Sequence, residues 1–360
     1  MRLAPTDTSI VREELEQPRA PRTRRRTSRA AERHPTVEVH LIAPCLRIAL
    51  LIVFALRAAP VRAQVPWRDA SPHRAGRLVV DRARLHYLDW GGRGPFLLLI
   101  HGWNSNAHVF DDLAPRLTDR YHVVALTLRG FGESDSVPST YSLARYADDV
   151  RATLDRFHAQ RATLAAHSFG GWVVTEFAHR YPTRVSHAVY LDAAFDMRVS
   201  DSIVARRPLQ RPALTEVTSQ ADVMRWLSAN FFGMWTPALE AEYRSRPQDE
   251  AARARQLRRV GDEAAHTPPN WTELRVPALA ICALATTASE FPWLSPSDSG
   301  YAVAARFVER ERRPKQQAEC ERFRASRPDH RAIELPGHHY VFIWHPADVA
   351  SAILALKPTR

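Results

Sequence analysis

The chain is poor in the residues and spacings that would give it away at once. Three cysteines in 360 residues rule out a disulfide-dense scaffold. The adjacent His338 and His339 have no H-x-H, H-x-x-x-H or cysteine cluster beside them, so the spacing gives no metal site, and none is expected. Gly130-Phe131-Gly132 lacks the third glycine and the helix that a dinucleotide fingerprint requires, so no phosphate-binding loop and no cofactor is expected. No apolar run approaches the ~20 residues of a membrane span. No internal repeat is present. What remains is a body of ordinary composition, long enough for one large core.

That body is preceded by a biased segment. Residues 1–63 hold twelve Arg against six Asp or Glu, which accounts for +6 of the formal +11. The basic excess is therefore partly a leader property, and no nucleic-acid partner is expected; the run from Arg22 to Arg29 reads as a solvated tail. Ile48–Leu56 is an apolar run of nine between Arg47 and Arg57, followed by the small-x-small step Val61-Arg62-Ala63. This is the size of a signal-peptide core, about 7–15 residues. The expectation is export, periplasmic or extracellular, with a membrane contact only if the segment stays as an anchor. Removing it would take Cys45 with it and leave Cys282, in a buried strand, and Cys320, in a helix, as either a disulfide or two thiols.

Four ordered signals carry the chemistry. Pro95–Ile100 is a continuous apolar run, as in a strand buried on both faces, and it ends in His101-Gly102-Trp103. Tyr121–Leu128 is a second such strand, running into Arg129-Gly130-Phe131-Gly132-Glu133-Ser134-Asp135. Ala162–Ala166 breaks at His167-Ser168-Phe169, after which Gly170-Gly171 opens a helix. A strand, a sharp turn and a helix lift a serine hydroxyl off a sheet edge as a nucleophile; Ala166 stands where the usual G-x-S-x-G has its first glycine. Ala332–Leu335 is a late strand, followed by Gly337-His338-His339-Tyr340.

In this order and spacing the chain, over roughly residues 77–356, resembles the α/β-hydrolase superfamily in its lidded serine-hydrolase form. The resemblance implies an α/β fold: a mostly parallel sheet flanked by helices, with a helical lid inserted after strand six. Residues 64–194 and 276–360 would form the core and 195–275 the lid, whose aromatics Trp226, Phe231, Phe232, Trp235 and Trp271 are candidates to roof a pocket. It implies Ser168 as nucleophile and His339, preferred over His338 because an aromatic follows it, as base. The backbone N–H groups of Trp103 and Phe169 would form the oxyanion hole. His101 reads as structural.

The acid departs from the pattern. After the strand Val276–Ala283 the chain reads Leu284-Ala285-Thr286-Thr287, with no carboxylate near Thr286. Asp192 is the substitute: it ends the strand after the nucleophile's own, and parallel strands lie about 4.8 Å apart. Asp196 and Glu290 are the alternatives. The expected activity is cleavage of an ester or related acyl bond in a small molecule with an apolar acyl or aryl group. The competing readings are a non-catalytic receptor on the same fold, and a cofactor-free haloperoxidase or C–C bond hydrolase.

Overall fold

The computed structural model describes residues 70–137, 141–196, 198, 205–210, 236–245 and 250–357, the side chains of 250–256 excepted. The chain divides into two units, Met1–Pro66 and Trp67–Arg360, and all described residues belong to the second. The leader, with Ile48–Leu56 and Cys45, lies outside them, as do Trp226, Phe231, Phe232 and Trp235.

Eight strands form one sheet: β1 (Arg74–Val80), β2 (Ala83–Gly91), β3 (Phe96–Ile100), β4 (His122–Leu126), β5 (Ala162–His167), β6 (Val185–Leu191), β7 (Ala278–Leu284) and β8 (His330–Pro336). Their spatial order is β1-β2-β4-β3-β5-β6-β7-β8, with β1, β2 and β4 paired antiparallel and every later pairing parallel.

The apolar runs form central strands because both sheet faces are covered. Phe96, Leu98 and Ile100 of β3 pack into one buried cluster, and Leu97 and Leu99 into the other. That alternation is the two-residue period of a strand. The first cluster joins the sheet to α1 (Leu143–Arg156), α2 (Gly170–Arg180), α4 (Glu250–His266) and α7 (Arg313–Ser326); α3 (Pro237–Arg244) precedes α4 in the chain. A short helix α5 (Thr287–Glu290), then α6 (Tyr301–Phe307) and a π turn, Val308–Arg312, lead into α7. The second cluster takes in the tight turns Ala107–Phe110 and Ala114–Leu117, and the final helices α8 (Val341–Trp344) and α9 (Pro346–Leu354).

Of the aromatics expected to roof the pocket, Trp271 does not line the cavity that holds Ser168: it is 4% exposed, its ring 5.3 Å from that of Phe323 on α7.

The loop after β4 is held from within. Arg129 and Asp149 on α1 are both fully buried and joined through two guanidinium nitrogens, at 2.9 and 2.6 Å. The Tyr146 hydroxyl donates to the Arg129 carbonyl at 3.0 Å. This ion pair fixes the Gly130–Asp135 turn against α1.

Candidate active site

Strand register places the key residues. His167 of β5 pairs with Leu191 of β6, so Ser168 and Asp192 leave adjacent strands side by side. Both residues take the left-handed backbone, φ 48° at Ser168 and 43° at Asp192. Non-glycine residues adopt that region at a cost and are held there by their surroundings.

Those surroundings are tight. A Cβ added at Gly170 would lie 2.8 Å from the carbonyl oxygens of both Ile100 and His101, and one at Gly171 would lie 2.8 Å from Ala193 Cβ. Only glycine lets α2 start this close to β3 and β6. Gly102 is equally constrained, since a Cβ there would lie 2.9 Å from Ser168 Cβ. The chain at Gly102-Trp103 therefore runs directly against the serine. Among the described residues, neither the Trp103 N–H nor the Phe169 N–H donates to an acceptor. Phe169 also caps the N-terminus of α2, where the helix dipole favours negative charge.

The histidine loop comes from β8. Gly337 continues the sheet with a hydrogen bond from its N–H to the Leu284 carbonyl, at 2.8 Å, and His339 follows. His339 Nδ1 meets Asp192 Oδ2 at 2.6 Å, while Asp192 Oδ1 accepts from the Ala283 N–H at 2.9 Å. A carboxylate only accepts, so Nδ1 carries the proton and Nε2 presents its lone pair in the neutral ring. This is the tautomer a general base needs. No side-chain hydrogen bond engages the Ser168 hydroxyl among the described residues. Ser168, Asp192 and His339 line one cavity of about 380 Å³.

The alternative carboxylates are occupied elsewhere. Asp196 is held by Arg198 through two contacts, at 3.0 and 2.6 Å. Glu290 receives Arg207 at 2.7 Å and Arg312 at 3.5 Å. Thr286, where a carboxylate was looked for, instead caps α5 and exchanges side-chain and backbone hydrogen bonds with Ser289.

Two buried histidines support the edge. His101 accepts the Leu128 N–H at its Nε2 and so donates through Nδ1 to the Gly102 carbonyl. Burial pushes it down to about 4, which keeps it neutral and structural. His167 donates through Nε2 to the His339 carbonyl at 3.1 Å, and its ring lies 4.5 Å from those of His339 and Tyr340. Burial, and then the neighbouring His339, hold His167 well below the ordinary imidazole range. The neutral ring thus pins the backbone of the histidine loop. His338 also lines the cavity, and its Nδ1 accepts the Tyr340 N–H at 3.3 Å.

Apart from Asp196 and Glu290, sequence reasoning missed the other wall of this cavity. Arg207, Glu290, Arg312, Lys315, Gln316 and Glu319 line it beside the Cys282–Cys320 disulfide. Positions 315, 316 and 319 have the spacing of one helix face, but the π turn Val308–Arg312 decides where that face points.

A doubly flanked, mostly parallel sheet with a serine at a strand–helix turn defines the α/β-hydrolase class. The chain belongs to the alpha/beta hydrolase family, whose model matches residues 97–352. It is 36% identical over 124 residues to the 2-(acetamidomethylene)succinate hydrolase of Mesorhizobium japonicum, a match spanning 34% of this chain and 44% of that enzyme. It is 31% identical over 144 residues to a human serine hydrolase-like protein, spanning 39% of this chain and 71% of that protein. Against several mycobacterial relatives of uncharacterized function the match spans only 30% of their length. Among solved structures, it is similar to E-2-(acetamidomethylene)succinate hydrolase, with TM-score 0.56 and 22% identity over 78% of this chain and 97% of that one. It is likewise similar to a carboxylesterase of Bacillus subtilis, with TM-score 0.54 and 17% identity over 86% of this chain and 96% of that one. At these identities the structural likeness speaks for the fold.

Proposed function

We propose that the protein is a serine hydrolase that cleaves a carboxylic ester or related acyl bond through an acyl-enzyme. Ser168 Oγ attacks the acyl carbon while His339 Nε2 takes the hydroxyl proton. The Trp103 and Phe169 N–H groups receive the oxyanion. His339 returns the proton to the leaving alcohol or amine, and the acyl group stays on Ser168. Water then attacks the acyl carbon, its proton passing to His339 and on to Ser168 as the acid departs. Asp192 holds the base in its working tautomer and steadies the imidazolium.

The observation that carries this reading is the 2.6 Å contact of His339 with Asp192 in the cavity that Ser168 lines. With a carboxylate on the histidine, nothing in the site favours a receptor that merely keeps the fold. A fluorophosphonate probe is expected to label the wild-type protein and not the Ser168→Ala variant. Labelling that survives the substitution overturns the assignment.

The segment 195–275 is proposed as a lid over a core of 64–194 and 276–360. In support, Leu257 and Val260 of α4 are buried in the cluster that holds Phe131, Phe169 and Trp172, and the Asn106 side chain donates to the Glu242 carbonyl at 2.9 Å. Residues 1–63 are proposed as an export signal or anchor. The Cys282–Cys320 bond accords with an oxidising compartment. No helix among the described residues is long and apolar enough to cross a membrane. Fractionation and the mass of the mature N-terminus test the export assignment; a full-length cytoplasmic product refutes it.

A further inference from the structure

The catalytic cavity has a polar wall of its own. Helix α7 and the π turn before it present Arg312, Lys315, Gln316 and Glu319 to the space lined by Ser168 and His339. A π turn shifts the phase of the helix that follows, and such turns recur at functional sites.

Each carboxylate of this cavity is engaged by a cation or a ring nitrogen. Glu290 is shared by Arg207 and Arg312, two cations on one carboxylate. Glu319 is taken by Arg322 and by the Asp196 N–H, and Asp196 by Arg198. Asp192 belongs to His339. Lys315, half-buried in the cavity wall, has no ion pair or hydrogen bond among the described residues. Gln316 has its carbonyl oxygen occupied by the Ala285 N–H at 2.8 Å, which leaves its NH₂ as a donor. The wall thus offers an ammonium and an amide donor on neighbouring positions, with the nearby acceptors already engaged.

Composition singles out the same residue. Of the 50 basic side chains only two are lysines, Lys315 and Lys357. A chain that otherwise uses arginine places a compact, strongly hydrated ammonium at this wall. An arginine would bring a broad planar fork there instead.

We propose that the substrate carries a carboxylate in addition to its scissile acyl bond, bound by the Lys315 ammonium with the Gln316 amide beside it. This rests on the acyl-hydrolase reading of Ser168, and it replaces the expectation of a purely apolar acyl or aryl group. A cavity of about 380 Å³ has room for a small acyl substrate.

A matched pair of esters tests it: mono-4-nitrophenyl glutarate, which is anionic, and 4-nitrophenyl valerate, which is neutral and of the same chain length. The wild type is expected to favour the anionic ester in kcat/KM by about 10- to 100-fold, the range of one charge-assisted hydrogen bond. Lys315→Met is expected to reduce that ratio at least tenfold. A preference for valerate, or a ratio unchanged in Lys315→Met, overturns the proposal while leaving the hydrolase reading intact.

Calorimetric titration with glutarate at low ionic strength reads the subsite without turnover. Binding is expected to survive in Ser168→Ala and to weaken at least tenfold in Lys315→Met, with inorganic phosphate binding more weakly than glutarate. If the wild type cleaves neither ester, the hydrolase reading fails, and the titration still decides the subsite. No glutarate binding to the wild type, equal binding by Lys315→Met, or tighter binding of phosphate overturns it.

Discussion

Asp192→Asn removes a charge and keeps the shape, and the hydrogen bonds around it dictate how the new side chain must sit. The carboxylate accepts twice, from the Ala283 N–H at 2.9 Å and from His339 Nδ1 at 2.6 Å. A carboxamide has one acceptor and one donor end. If its NH₂ faced the Ala283 N–H, two donors would oppose each other and a backbone group at the sheet edge would go unsatisfied, at a cost of about 1–3 kcal/mol. The oxygen therefore stays on Ala283, and the NH₂ turns to His339. Nδ1 must then accept, so the ring proton moves to Nε2, where it confronts Ser168 with a donor instead of a base. A wrong tautomer of this kind costs about 1,000- to 10,000-fold in kcat, or roughly 4–5.5 kcal/mol of transition-state stabilisation. The assay is steady-state hydrolysis of 4-nitrophenyl esters, with thermal unfolding to confirm that the variant is folded. A loss below tenfold in Asp192→Asn, or a larger loss in Glu290→Gln, refutes the role of Asp192.

Three further outcomes follow from buried groups. Arg129→Met strands the Asp149 carboxylate inside the core and is expected to cost about 3–5 kcal/mol in urea unfolding; adding Asp149→Leu should recover part of that, and a single-variant loss below 1 kcal/mol would contradict the burial of the pair. His86 and His101 are held neutral, chiefly by burial, down to about 3 and about 4, so the unfolded chain binds more protons below pH ~6.5. Stability should therefore fall from pH 6.5 toward 4, with His101 alone contributing about 3 kcal/mol by pH 4; a flat urea midpoint across that window speaks against it. Cys282 and Cys320 close a loop of sequence separation 38, so replacing both with Ala should lower stability by up to about 4 kcal/mol, read as a drop in Tm that dithiothreitol reproduces in the wild type.

The central strands were legible because they are buried on both faces: β3 reads Phe-Leu-Leu-Leu-Ile without a polar interruption. The Ser168 turn announced itself through the glycines that let α2 approach β3 and β6. Asp192 could be reached by counting strands, since register places it one strand over from Ser168. The wall around Lys315 was not legible. Charged residues crowd α7 on every side, so its inward face emerges only once the π turn has set the phase of the helix and the cavity has given it a direction. The Arg129–Asp149 pair was hidden for a related reason: the two residues lie in separate elements, and either one reads as surface on its own.

On the proposed mechanism, seating the acid at the end of β6 has an architectural consequence. The end of β7 is released from catalytic duty, and Thr286, Ser289 and Glu290 are free to build a short capped helix that anchors Arg207 and Arg312. The proposed reacting groups and the proposed carboxylate subsite thus occupy separate stretches of chain, joined at the Ala283 N–H that Asp192 accepts. Substitutions between 286 and 319 are therefore expected to retune which molecules are admitted while the proposed reacting groups keep their geometry. A fold arranged this way can exchange one substrate for another by remodelling a single wall.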